Sequence, residues 1–288
     1  MTANASVNTA KKDLHLGSKL LKIAVWVSGA IVASLFVILV AFILIKGIPN
    51  LSLDLFAWKH TTKNMSMMPA IFNTVEMVLL TLLIAVPIGV LAAVYMVEYA
   101  KKGSKIVAVV RLTTETLQGI PSIIFGLFGM LIFVYSFEWG KTMMAGVMTL
   151  VLMILPVIIR TTEEALLAVP DSYREGSFSL GAGKVRTVFR IVMPAAVPGI
   201  LSGIILATGR IFGETAALVF TSGTSIGRTF TGDPTGPGCT LAVYLYILWN
   251  EGLYTEQAYA VSVVLLVLTI GINALSSYLA KKVGKKNG

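Results

Sequence analysis

The stretch REGSFSLGAGKVRTVFRIVMP, residues 174–194, contains GAGK and so poses the question of whether the chain binds a nucleotide. A phosphate-cradling loop needs G-x-x-x-x-G-K-[ST], because backbone N–H groups wrap the phosphates, the lysine reaches the terminal ones and the hydroxyl holds magnesium. Lys184 is followed by Val185, Phe178 stands where the first glycine belongs, and no β-branched run precedes the segment. The P-loop reading fails. What remains is a pair of short amphipathic helices meeting at glycine. Pro170, Asp171 and Ser172 start the first, Ser172 and Glu175 have the spacing of a capping box, and Tyr173, Ser177 and Leu180 share one face. Gly181 and Gly183 break it, since glycine tolerates left-handed backbone angles. In the second helix Val185, Val188, Phe189 and Val192 form an apolar stripe with Lys184, Arg186 and Arg190 off it, and Pro194 and Pro198 are expected to end it.

The flanking sequence places this element beside a membrane. Of 288 residues, 56% are hydrophobic and 13% charged, against about 25% charged in soluble domains. Five stretches qualify as spanning helices by length and absence of charge: 23–45, 77–97, 116–137, 142–159 and 257–280. A sixth, 200–221, is equally long but carries Arg210 and Glu214. The apolar run of the first is too long for a signal-peptide core, so it reads as a true span. Seventeen of the 23 Lys and Arg residues fall in the amino-terminal segment, the second and fourth loops and the tail, which puts both termini in the cytoplasm. The basic excess therefore reports topology and calls for no nucleic acid.

The resulting fold class is an all-α polytopic membrane protein with six transmembrane helices. Residues 1–18 form a polar, mobile cytoplasmic tail, 19–46 the first helix, 70–280 the main transmembrane domain with a cytoplasmic loop at 161–199, and 281–288 a basic tail. The outward loop 222–256 contains TGDPTGPGC, too rich in Gly and Pro for a helix, followed by LAVYLYILWNEGLY, which predicts a short helix at the outer face. Cys239 is the single cysteine, and His15 and His60 lie far apart in polar flanks, so neither a disulfide nor a thiolate or His-based metal site is indicated. The methionines, among them Met143, Met144, Met148 and Met153, read as adaptable packing.

By physics alone the 161–199 loop is equally an ordinary connector on the membrane surface. Glu175, Gly176, Ser177, Gly181, Ile191 and Pro194, however, reproduce the spacing of the E-A-A-x(3)-G-x(9)-I-x-L-P signature, and on these residues the chain resembles ABC importer permeases. Gly176 and Ser177 replace alanines and Met193 the leucine. GIPSIIFGLFG at 119–129 and GRIFGETAALVFTSG at 209–223 look like segments of phosphate-importer permeases, and the ETAA form is more similar to the PstA branch than to PstC. The resemblance implies a type I ABC importer permease fold in a bacterial inner membrane and a loop that docks into a separate ATP-binding subunit. It further implies no cofactor on this chain, with ATP and Mg on that subunit. The implied partners are a second, PstC-like permease, two PstB-like ATP-binding subunits and a PstS-like extracytoplasmic phosphate-binding protein.

Arg210 falls near the middle of its predicted span, where an arginine costs about 2.5–3.5 kcal/mol on insertion scales and so faces a partner or water. Glu214 is four residues on, placed to pair with it on one helical face. Gly209 and Gly213 form a GxxxG step for a neighbouring helix. The pair is either a structural bridge between helices or an oxyanion station whose guanidinium exchanges Glu214 for phosphate oxygens. Gly119, Pro121 and Ser122 loosen the third span, exposing polar groups to a path or simply kinking it; Pro87 reads as a kink. Arg160, at the cytoplasmic end of the fourth span, is a topology anchor that the resemblance turns into a guard of the inner mouth. Glu76 and Glu115 sit at span ends within reach of water and carry no assigned role. The substrate path thus comprises Arg210, Glu214, Arg160 and Ser122, and no catalytic group is apparent. The competing functions are a permease for sulfate, molybdate or another oxyanion, and a secondary anion transporter using Arg210 and Glu214 for ion coupling.

Overall fold

The computed structural model describes residues 3–101, 103–227 and 232–287. Lys102 and Arg228, counted above in the charge distribution, and Thr231 of the Gly/Pro-rich loop lie outside the described residues. Those described are helical wherever regular: α1 (Ala3–Gly47), α2 (Met68–Val94), α3 (Lys105–Gln118), α4 (Ser122–Gly129), α5 (Met143–Leu167), α6 (Asp171–Ser179), α7 (Lys184–Thr187), α8 (Met193–Phe212), α9 (Ala216–Thr221), α10 (Leu241–Glu251) and α11 (Thr255–Asn287). Three π-helical turns extend or join them: Tyr95–Tyr99 after α2, Met130–Ser136 after α4 and Val188–Val192 between α7 and α8. Five helical stretches are long and apolar enough to cross a membrane, and a sixth is the bent pair of α3 and α4 with its extension.

The polar segment before the first span is not set apart from it. It continues the same helix back to Ala3, since nothing between there and Gly47 is a proline or a capping turn. The most apolar window of α1 is entirely unburied, and α1 meets the rest of the chain mainly at its end, where Phe42 lies edge-on to Tyr259 and Gly47 closes against the Tyr259 backbone. The core is instead α2, α5 and α8, with Met77, Leu150, Ile154, Ile158, Ala207 and Phe212 at its centre. Lipid is as apolar as leucine, so these helices associate by close packing at small residues. A Cβ on Gly89 would stand 2.7 Å from the Ile158 side chain, one on Gly199 2.6 Å from Ala165, and one on Gly146 2.8 Å from Ser222.

Two predicted spans are broken differently from expectation. Residues 116–137 are not one helix: α3 ends at Gln118 and α4 starts at Ser122, with a bend of 106° between them. Pro121 lacks an N–H and excludes its predecessor from the helical region, and Gly119 and Ile120 close α3 on Thr116 and Leu117. The span placed at 200–221 starts instead at Lys184, because Pro194 and Pro198 do not end the helix. Pro194 follows directly on the π-turn, where the hydrogen-bond pattern changes from π to α and the wider turn makes room for its ring and missing N–H.

The outer face agrees with the predicted short helix. Thr240 caps α10 by accepting from the Val243 N–H, while α2 anchors its start: the Leu241 N–H donates to Thr74 Oγ1 (2.8 Å) and Asn73 Nδ2 to the Cys239 carbonyl (3.1 Å). The Tyr244 hydroxyl donates to the Met65 carbonyl at 2.8 Å. Carbonyls of Pro234 and Gly236 accept from Met144 and Met143, so the loop seals the first turn of α5.

Candidate functional site

At the end of α8 the helix stops two residues before Glu214. Phe212 is its last residue, Gly213 caps it, and Thr215, at φ −123° and ψ −52°, leaves the helical region before α9 begins. The i,i+4 pairing of Arg210 with Glu214 requires a continuous helix, and the break removes it. Glu214 turns inward, is buried, and accepts the Ala217 N–H at 3.2 Å, satisfying one of the free donors at the start of α9. Arg210, in the last turn of α8, is half-buried and makes no hydrogen bond or ion pair among the described residues. The GxxxG step is likewise divided: Gly209 faces Asn273 of α11, its Cβ position 3.1 Å from Oδ1, whereas Gly213 sits in the break with no helix against it.

Ser122 opens α4 and is half-buried. No hydrogen bond joins it to Arg210, but α4 and α9 are in direct contact: a Cβ on Gly126 would lie 2.7 Å from Ala217 Cα. The two interruptions, at 119–121 and 213–215, are thereby linked through α9.

Arg160 is in an ionic ladder between α3 and α5. Its Nη1 donates to Glu115 at 2.6 Å and its Nε to Glu164 at 2.9 Å, and the neighbouring Arg111 pairs with Glu163 at 2.5 Å. Gln118 continues the contact one turn deeper, donating to the Pro156 carbonyl within α5 at 3.1 Å. Glu115 therefore has a partner on the next helix, which the sequence does not reveal; the i,i+4 spacing of Arg160 and Glu164 is readable. Arg160 keeps 42% of its side chain exposed, so the ladder is open on one side and worth little as a stabilising contact. Glu76, expected at a span end, lies within α2 and is half-buried, with Oε2 buried and unpartnered.

The cytoplasmic knob is α6, α7 and the π-turn after them. Gly181 takes φ +80° at the elbow, as expected of a residue that must be left-handed. The capping box does not form: α6 starts two residues early, Pro170 is its N-cap with no side-chain bond, and Ser172 is already inside the helix. Ser177 is the inward residue of α6, sharing a 2.8 Å hydrogen bond with Thr187. The apolar stripe of the second helix is split, because the π-turn rotates it: Val188 and Val192 are buried, while Val185 and Phe189 join Tyr173, Phe178 and Leu180 outside. Leu180 is 90% exposed. Glu175 and Gly176 are exposed, Ile191 and Pro194 half-buried, and between the arms lies an open concavity of about 1020 Å³ that Ile191 helps to line.

A family model described as "Binding-protein-dependent transport system inner membrane component" matches residues 85–285. The chain belongs to that family. It is a multi-pass permease component of an ABC importer of the inner membrane, and such a component works with an ATP-binding subunit and a substrate-binding protein. The permease is 34% identical over 273 residues to the "Probable ABC transporter permease protein YqgI" of Bacillus subtilis (strain 168), covering 89% of this chain and 92% of the relative. It is 36% identical over 239 residues to the "Phosphate transport system permease protein PstA" of Pasteurella multocida (strain Pm70), covering 80% and 82%. Identity to the PstA protein of Yersinia pestis is 41% over 180 residues, or 62% and 60% of the two chains. Among solved structures, a bacterial alginate ABC transporter in complex with its pentasaccharide-bound periplasmic protein matches with TM-score 0.67 at 16% identity, covering 96% of the permease and 98% of that chain. The inward-facing MetNI methionine ABC transporter matches with TM-score 0.61 at 21% identity, covering 78% and 99%. At these identities the structures establish the fold.

Proposed function

We propose that this permease forms half of the translocation path for inorganic phosphate in an ATP-driven importer. The observation that carries the reading is Arg210, a half-buried guanidinium at a helix break with no partner among the described residues. A planar fork of donors suits phosphate oxygens, and an unpaired cation at membrane depth belongs beside water or an anion. Since Glu214 is engaged with α9, phosphate need not displace it; Glu214 holds the break in shape while Arg210 meets the substrate. Arg160, flanked by two carboxylates and exposed, is a second station nearer the cytoplasm, and Ser122 opens the neighbouring broken helix. Kinship with PstA proteins at 36–41% identity supports phosphate over sulfate or molybdate.

The knob supplies the coupling. Leu180, Val185 and Phe189 line the concavity with Arg186 and Arg190 as a docking face, and Tyr173, Phe178 and Glu175 are exposed elsewhere on the same knob. GAGK is part of the elbow, and ATP with Mg binds on two PstB-like subunits. A PstC-like permease completes the path, and a PstS-like protein delivers phosphate from outside. The chain itself carries no catalytic site.

ATP-dependent phosphate uptake into proteoliposomes of the assembled complex tests this. Arg210→Ala abolishes uptake and keeps ATPase activity, whereas Gly181→Glu loses both. Normal phosphate uptake by Arg210→Ala in an assembled complex would overturn the route. Uptake of sulfate or molybdate in place of phosphate would reassign the substrate, and uptake by this chain alone without ATP would make it a secondary transporter.

A further inference from the structure

Besides the apolar packing of Val188 and Val192, one side chain of the knob makes polar contacts to two membrane helices at once. Arg174, next to Glu175 on α6, donates Nη2 to Glu98 Oε1 (2.7 Å) and to the Leu166 carbonyl (3.0 Å), and Nε to the same Glu98 oxygen (3.1 Å). Its Nη1 donates to the Val169 carbonyl (2.8 Å) and to Asp171 (3.1 Å). Glu98 belongs to the π-turn that extends α2; Leu166 is in the last turn of α5, and Val169 lies two residues beyond its end. The side chains of Arg174 and Glu98 are 15% and 8% exposed, so the pair is withdrawn from water, unlike the ladder around Arg160. One extra residue in a helical turn rotates the residues after it by about 100°. The π-turn ends at Glu98 and Tyr99, and both face the knob, Tyr99 placing its ring under Lys184 Nζ at 5.2 Å.

We propose that Arg174 is a positioning residue that makes α6 move as one body with the cytoplasmic ends of α2 and α5. Motion of the ATP-binding subunit then reaches α2 and α5 through this clasp, beyond what the covalent connection at 168–170 can carry, while the continuous helix from Lys184 carries it into α8. Two alternatives lack this support. The apolar groove between α2, α8 and α11 has nothing that names its occupant, and the docking face of the knob is already part of the proposed function. The inference rests on reading the knob as the seat of the ATP-binding subunit. Side-chain networks with two discrete arrangements are the physical means by which such coupling travels. A buried pair stripped of one partner leaves an uncompensated charge, so its loss is felt at this joint.

The test is the number of phosphate ions taken up per ATP hydrolysed, in proteoliposomes of the full complex with binding protein, for Arg174→Gln and the near-isosteric Glu98→Gln. The expected result is an assembled complex with ATPase within about twofold of the parent and an uptake-to-ATP ratio lower by about tenfold. A second arm replaces both residues with cysteine in a Cys239→Ala background and joins them with a short, reductant-cleavable bis-methanethiosulfonate. The ratio should recover when they are linked and fall again on reduction. An unchanged ratio in both Gln variants, a proportional fall in uptake and ATPase, or a linked pair that stays uncoupled would each overturn the clasp. If the parent complex carries another oxyanion, the substrate assignment fails alone and the ratio is measured with that ion.

Discussion

Replacing Gly126 by alanine adds one methyl group where α4 meets α9, and the geometry sets what it does. The new Cβ would lie 2.7 Å from Ala217 Cα, 3.1 Å from the Ala217 carbonyl and 3.2 Å from that of Ala216. All three atoms are backbone, so no rotamer change relieves the contact, and one helix must shift by up to roughly 1 Å toward an ordinary separation. Overpacking of this kind costs about 1–3 kcal/mol, and a rigid backbone neighbour puts it in the upper half of that range. Alanine recovers about 0.5–1 kcal/mol as the better helix former. The net loss is roughly 1–2 kcal/mol, a fall in Tm of about 2–8 °C for a chain of this size class. Gly29 is the internal control, since its Cβ position has nothing within 4 Å and the same substitution there should hold or raise Tm. Thermal unfolding of the purified permease in detergent measures both. If Gly126→Ala matches Gly29→Ala, α4 and α9 are not in backbone contact and the link between the two helix breaks is wrong.

Three further outcomes rest on local geometry. Gly181→Val meets no neighbour but forces a β-branched residue to φ +80°, at a cost of roughly 1–2 kcal/mol. Binding of the ATP-binding subunit, measured by co-purification, should weaken, and the Tm of the isolated permease should fall by about 2–8 °C, as for Gly126→Ala. Thr74→Val leaves the buried Leu241 N–H without its acceptor, costing about 1–3 kcal/mol, while Thr74→Ser keeps it; hydrogen exchange at Leu241 should accelerate in the first variant alone. Burial pushes the Cys239 thiol up to about 12, so at pH 8 roughly one in 10,000 is thiolate and maleimide labelling should be negligible until the protein is unfolded. Rapid labelling of the folded permease at pH 8 would contradict the packing of α10 on α2.

The apolar stretches that form the spans and the glycine elbow are legible in the sequence because each depends on short-range properties. A run of apolar residues must satisfy its backbone as helix in lipid, and a left-handed turn selects glycine. The errors share one origin, the treatment of proline and helix continuity. Pro194 and Pro198 read as stops, yet a π-turn upstream lets the helix absorb them. Gly213 reads as one half of a packing step, yet it ends α8 and separates Arg210 from Glu214. Long-range ion pairs are illegible for a different reason. Glu98 is 76 residues from Arg174 and Glu115 is 45 from Arg160, and no spacing rule acts across such distances.

The two breaks suggest how the proposed route uses this backbone. Irregular backbone at membrane depth is tolerated only where protein or a water-filled cavity satisfies it. At 213–215 half of that satisfaction is internal, since Glu214 serves the Ala217 N–H and the Gly213 and Glu214 N–H groups return to Gly209 and Ile211. Gly213 itself is exposed and Arg210 has no internal partner among the described residues, so on the proposed route water or the anion meets them there. A single helix carrying Arg210 and Glu214 four residues apart would have neutralised the guanidinium with its own carboxylate. Ending α8 at Phe212 turns that carboxylate to the start of α9 and leaves the guanidinium without a partner among the described residues. The break thus converts a sequence that reads as a salt bridge into one that presents a charge, and it ties that charge through α9 and Gly126 to the second interruption at 119–121.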